Sequence, residues 1–228
     1  MTIKPRLDSS QARRVALAVV GFVLLALDVV SGGLVAHFDQ ALRGWLQPQP
    51  GSVIALLDVA GDLGNVGVSA ALLGISGAVT SHVLWKVWPI LFVGSVFLVT
   101  QGLIYLTKLA VGRDGPGMWA DRTDYPGYYP SGHTATAAVC AGSVVFLALL
   151  SRRGVSNIAR AANWGSAVGL LAGALAAAHA VVGDFHWFSD GVGGLLLALG
   201  ILTIAFAVVP TDDLRSQALE PPRRDGVQ

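Results

Sequence analysis

Residues Trp187–Val209 read WFSDGVGGLLLALGILTIAFAVV, and apart from Asp190 near the start nothing in the stretch is charged. A helix that crosses a bilayer needs about 20 mostly apolar residues, and this stretch meets that length. Five more stretches share its character: about Val15–Ala36, Val53–Val79, Trp85–Thr107, Thr134–Leu150 and Trp164–Val182. Several are rich in Gly and Ala, which lets helix backbones approach closely in lipid. The first is too long for a signal-peptide core and has no small-x-small cleavage site, so it reads as a retained span.

The whole composition agrees. The 228 residues are 54% hydrophobic and only 13% charged, against about 25% charged in soluble domains. A net charge of +1 gives no global reason to bind nucleic acid. The expected fold is all-α, a six-transmembrane-helix bundle over residues 15–209. Polar tails at 1–14 and 210–228 flank it, the second expected to be disordered. The single cysteine, Cys140, lies in an apolar run and reads as a buried structural thiol.

Lysine and arginine placement sets the expected orientation. With the N-terminus inside, eleven of the fifteen lie on the inner segments, and Arg43, Lys108, Arg113 and Arg122 lie outside. Both termini are therefore expected to be cytoplasmic. This topology brings the 108–130 loop, the start of the fourth span and the start of the sixth span to one outer face. Lys108, Arg113, Ser131, His133, His179, His186 and Asp190 gather there.

Two segments carry chemistry. Pro130-Ser131-Gly132-His133 stands where a polar loop enters a helix. Serine is a favoured N-cap, glycine allows close backbone approach, and a helix N-terminus offers unpaired N–H groups that suit a phosphate. His133 in the first turn can move a proton. His186-Trp187-Phe188-Ser189-Asp190 spaces a histidine and a carboxylate four apart, on one face of a helix that starts by residue 186. A carboxylate on one imidazole nitrogen fixes the tautomer and leaves the other nitrogen as base or nucleophile. Asp190 also sits inside an apolar span, where an ionisable group is a functional candidate. Each segment also has a plainer reading, as an ordinary N-cap and as a helix-start ion pair, and Lys108 alone reads as an interfacial lysine that snorkels. Asp58 and Asp62 read as packing or surface residues, since two carboxylates alone rarely bind a metal.

Together these residues give the chain its resemblance to the type 2 phosphatidic acid phosphatase family, whose helical core is shared with vanadium haloperoxidases. The family shows Lys, six residues, Arg-Pro; then Pro-Ser-Gly-His; then Ser-Arg, five residues, His, three residues, Asp. Here the first motif reads from Lys108 to Gly115-Pro116, the second is intact at Pro130–His133, and the third runs from His179-Ala180 to His186 and Asp190. Gly115 and Ala180 replace the two arginines that grip phosphate in the family. Arg113 and His179 are the expected substitutes, with Arg122 nearby.

The resemblance implies a membrane lipid phosphatase acting on a lipid phosphate or diphosphate at the outer face. His186 would be the nucleophile, Asp190 its orienting carboxylate and His133 the general acid and base. Lys108, Ser131 and Gly132 would hold the phosphoryl oxygens, with no metal and no cofactor. A phosphotransferase using the same residues, and a lipid-phosphate binder or transporter without hydrolysis, are the alternatives. Oligomeric state is not legible.

Overall fold

A computed structural model describes residues 7–46, 51–55, 57–120, 124–153 and 158–209. Arg122 and the tail 210–228 lie outside the described residues. Among those described, every regular element is helical, and six helices are long and apolar enough to cross a membrane.

The chain enters α1 (Ser9–Ser31) through a capping box. Asp8 accepts from the Ser10 and Gln11 amides, both at 2.8 Å, and the Gln11 side chain accepts from the Asp8 amide. Gly32 ends α1 in the left-handed conformation, at φ 64°. The expected first span ran on to Ala36, but this glycine stops it. The chain then turns into a separate amphipathic helix, α2 (Leu34–Leu46), whose free Val35 amide is capped by Asp28 at 2.8 Å.

The expected second span also breaks. Val53–Val79 is divided among α3 (Gly51–Ala55), α4 (Asp58–Leu63) and α5 (Val66–Leu84). Asn65 is the reason at the last junction. Its side chain accepts from the Gly67 amide at 2.9 Å, the interaction that starts a new helix. The membrane-length element is therefore α5 alone. Then follow α6 (Trp88–Val111), α7 (Gly132–Arg153), α8 (Ile158–Val182) and α9 (Phe188–Ala207). A short 3-10 turn at Gly117–Trp119 lies between α6 and α7.

Helix α7 is the centre of the bundle and packs against α5, α6, α8 and α9, most extensively α8. Small residues make the α7–α8 approach close. The stripe Ala161, Gly165, Gly169, Gly173, Ala176 and Ala180 is the buried face of α8. A Cβ placed on Gly169 would stand 2.5 Å from the Ala138 carbonyl oxygen, and one on Gly165 2.8 Å from that of Gly142. Below this contact Phe146 stacks on Phe206 with ring centroids 4.2 Å apart, and Phe92 completes the cluster. The outer surface is apolar as well: Leu17 on α1 is 71% exposed and Leu98 on α6 70%. Such a surface suits lipid, not water.

Because the six long helices alternate in direction, the C-terminal ends of α1, α6 and α8 share one end of the bundle with the N-terminal ends of α5, α7 and α9. Helices α2 and α4 cover that end, α2 against α9 and α4 against α7 and α8.

A candidate active site at the end of the bundle

The N-termini of α7 and α9 are tied together at this end. The Ser131 amide donates to the Asp190 carbonyl at 2.9 Å, which joins the two chemistry-bearing segments directly. Ser131 caps α7: its hydroxyl accepts from the Thr134 hydroxyl at 3.0 Å, and it is fully buried. Gly132 begins the helix and His133, exposed, sits in its first turn. Tyr129, just before, donates its hydroxyl to the Phe22 carbonyl on α1 at 2.9 Å. Burial, and then the negative charge of Asp190, push the Tyr129 phenol well above its ordinary value, so it stays a donor.

His186 and Asp190 meet, though not on one helix face as their spacing suggested. Helix α9 begins only at Phe188. Asp190 lies in its first turn and folds back to accept from the Trp187 amide at 3.1 Å. The same oxygen, Oδ2, lies 3.0 Å from His186 Nδ1. Asp190 is completely buried and His186 nearly so. With Nδ1 committed to a carboxylate, Nε2 is the nitrogen left for chemistry.

The other oxygen of Asp190 belongs to Arg113. Arg113 Nη1 donates to Asp190 Oδ1 at 2.6 Å and to Ser189 Oγ at 2.7 Å, while Nη2 donates to Asp39 Oδ2 at 2.6 Å. Asp39, from α2, also accepts from the Ser189 amide at 3.0 Å and from its hydroxyl. The sequence suggests Arg113 as a substitute for a phosphate-gripping arginine; its guanidinium is engaged elsewhere here. Both of its terminal nitrogens are held by buried carboxylates behind the histidine. Asp39 and Ser189 were missed in the sequence. Asp39 sits in a segment with no motif, and only the folding of α2 onto α9 brings it here.

A cavity of about 340 Å³ opens beside these residues. His133, His179, Ala180 and His186 line it together with Trp119, Tyr125, Tyr128 and Phe185. His179 reaches the same cavity as His186, as expected, but its Nε2 faces Asp58 on α4 at 3.2 Å. Asp58, its side chain 57% exposed, thus has a partner on α8. Lys108 lies in the last turn of α6 rather than in a loop, 4% exposed, with Nζ 2.5 Å from the Tyr125 hydroxyl. Among the described residues no group of three or more His, Cys, Asp or Glu is placed to hold a metal ion.

The two positions that hold arginines in the resembled family differ in surroundings. Gly115 is buried, and a Cβ there would stand 2.6 Å from Tyr128 Cζ and 2.7 Å from Trp119 Cβ. The space is already filled by aromatic rings. Ala180 is also buried but faces the cavity, and its carbonyl accepts from the Phe185 and His186 amides at 2.8 and 3.1 Å.

Comparison with known proteins agrees with this architecture. The family model described as "PAP2 superfamily" matches residues 87–213, a span that includes α6 through α9 and every motif position. Among solved structures the chain is similar to the first transmembrane PAP2 type phosphatidylglycerolphosphate phosphatase from Bacillus subtilis. The TM-score is 0.71 at 17% sequence identity, covering 92% of this chain and 99% of that one. No curated protein matches the sequence.

Proposed function

The chain belongs to the PAP2 superfamily, and from that premise we propose that it is a lipid phosphatase that hydrolyses a membrane lipid phosphate or diphosphate at the outer membrane face. The observation that carries the proposal is the His186–Asp190 pair, buried and oriented, in one cavity with His133. A pocket that only binds a phosphate has no need of a histidine held in one tautomer by a carboxylate.

The reaction would run in two displacements. His186 Nε2 attacks phosphorus, the bond from phosphorus to the lipid oxygen breaks, and His133 gives that oxygen a proton. Water then attacks the phosphohistidine, His133 takes a proton from it, the P–N bond breaks, and orthophosphate leaves. Asp190 stabilises the positive charge that forms on His186. Arg113 and Asp39 act behind it as positioning residues. Lys108 and the amides at the start of α7 would receive the phosphoryl oxygens. Lysine and arginine placement supports the outer face, and the similar protein from Bacillus subtilis is a lipid-phosphate phosphatase by its title.

One observation favours a second reading. Neither Gly115 nor Ala180 supplies a guanidinium, and loss of one preorganised transition-state donor typically costs about 3–4 kcal/mol. A lipid-phosphate binder without turnover would tolerate that loss, and a phosphotransferase would differ only in using an acceptor alcohol in place of water. Phosphate release by the purified protein from a panel of lipid phosphates, beside His186→Ala, tests the proposal. Release by the parent and none by the variant supports it. Binding of the lipids without release by either supports the binder.

A further inference from the structure

We propose that α2 is a membrane-seated positioning helix. One side of it lies in the bilayer interface at the end of the bundle that carries the cavity, and the other side holds the turn that bears His186. The coupling of seating to turnover rests on the phosphatase reading; the seating itself does not.

Helix α2 is amphipathic in an inverted sense. Its one acid and its one arginine, Asp39 and Arg43, are a turn apart and face the protein. Asp39 is 2% exposed and bonded to Ser189 and Arg113. Arg43 donates through Nε and Nη2 to Asp184, at 2.7 and 2.8 Å. At helical spacing Leu34, Phe38, Ala41 and Trp45 form a stripe on the opposite side. All four are exposed, Leu34 at 87% and Trp45 at 80%. Charge turned inward and large apolar groups turned outward suit lipid, since a soluble surface rarely shows such a patch.

The stripe continues the lipid-facing surface of the spans. Leu27 and Val30, both exposed, end α1 just before the turn into Leu34. Phe38 meets Phe188 of α9 edge to face with centroids 5.8 Å apart, and Phe188 is exposed as well. Trp45 stands in the last turn, where an indole suits the boundary between acyl chains and water. His37 and Gln40, exposed at the edge of the stripe, are left for the water side. The occupant is the bilayer that already surrounds α1 and α9.

The inward face fastens the His186 segment on both sides. Asp184 lies two residues before His186, at φ 56°, a left-handed conformation uncommon for a non-glycine residue. Arg43 holds it there with the forked contact. Ser189 lies three residues after His186, and its amide and hydroxyl both donate to Asp39. A helix seated at a fixed depth in the interface thus fixes the height of His186 relative to a phosphate carried on a lipid.

Two experiments on the full chain in liposomes of phosphatidylcholine and phosphatidylglycerol separate seating from coupling. In a Cys140→Ala background, a nitroxide is attached at Leu34→Cys, Trp45→Cys, His37→Cys or Gln40→Cys in turn. Labels at positions 34 and 45 should be relaxed more by oxygen than by a water-soluble nickel chelate, and labels at 37 and 40 the reverse. Chelate access at 34 and 45 would overturn the seating. So would protection from both relaxants with dipolar broadening, the mark of a second copy on the stripe. For the coupling, Arg43→Gln and Asp184→Gly should each lower kcat for a lipid phosphate by about tenfold, because small misplacements of a reacting group cost rate. KM and thermal stability should stay near the parent values, since a part-exposed ion pair adds little stability. Combining the two should cost no more than either alone, as they remove one contact. Leu34→Gln with Trp45→Gln should lower kcat in the same way. An unchanged kcat in these variants, or a fall that follows thermal stability alone, would overturn the coupling. Absence of turnover in the parent would overturn the phosphatase reading and the coupling with it, while the labels still decide the seating.

Discussion

Asp190 divides its two carboxylate oxygens between two partners: Oδ2 faces His186 Nδ1 at 3.0 Å, and Oδ1 accepts from Arg113 Nη1 at 2.6 Å. On the proposed mechanism the second contact makes Arg113 a positioning residue behind the histidine. Arg113→Ala would leave Asp39 and Asp190 buried without their cation, a loss of about 3–5 kcal/mol for a buried pair. The expected outcome is a lower Tm in detergent together with a lower kcat, and little selective change in vanadate affinity. An unchanged kcat with much weaker vanadate binding would return Arg113 to the clamp. Arg113→Lys should rescue poorly, because one ammonium cannot reproduce the forked contact.

Gly115→Arg should harm the protein. Even a methyl group at this position would meet Tyr128 and Trp119 inside contact distance, and overpacking typically costs about 1–3 kcal/mol. Gly115→Arg is expected to lower both thermal stability and phosphate release. A gain in release would mean that the pocket has merely lost a clamp and can accept it back.

Close packing of α7 on α8 should be tested by a pair of substitutions. Gly169→Val places atoms against the Ala138 carbonyl, whereas a Cβ added at Gly74 meets nothing within 4 Å. The first should lower the unfolding temperature clearly, by an overpacking cost of about 1–3 kcal/mol or more. The second should be nearly neutral. Equal effects would contradict the central place given to α7.

Orientation has its own measurement. In a Cys140→Ala background, Asp114→Cys lies at the end of the bundle that carries the cavity, and Lys86→Cys lies in the connection between α5 and α6 at the other end. Asp114 is exposed and Lys86 is partly exposed. The first should react with an impermeant maleimide in intact cells, the second only after permeabilisation. The reverse pattern would move the site to the inner face.

Much of the fold was legible because apolar length is a strong local signal: each of the six expected stretches contains or overlaps a membrane-length helix. The error at Val53–Val79 came from weighing hydropathy above punctuation. Asp58, Gly61, Asp62, Gly64 and Asn65 interrupt that stretch, and Asn65 is a cap by type. The His186–Asp190 contact was legible as a pair, but its geometry was not. The spacing suggested one helix face, whereas the pair forms across the helix start, where the aspartate also satisfies the Trp187 amide. The Arg113 arrangement was not legible at all. Its second carboxylate, Asp39, comes from α2, and nothing local to either residue marks the other. Tyr125 and Tyr128 were hidden for a similar reason, since an aromatic pair in a loop reads as surface until a lysine is folded beneath it.

The central claim is that His186 becomes covalently phosphorylated during turnover. The most direct measurement is acid-labile, base-stable label on the protein after brief exposure to a lipid phosphate carrying radioactive phosphorus. His133→Ala should slow breakdown of the intermediate and let the label accumulate, with peptide mapping placing it on His186. His186→Ala, and His186→Ala combined with His133→Ala, should carry none. Label that persists in His186→Ala, or wild-type phosphate release by that variant, would contradict the account.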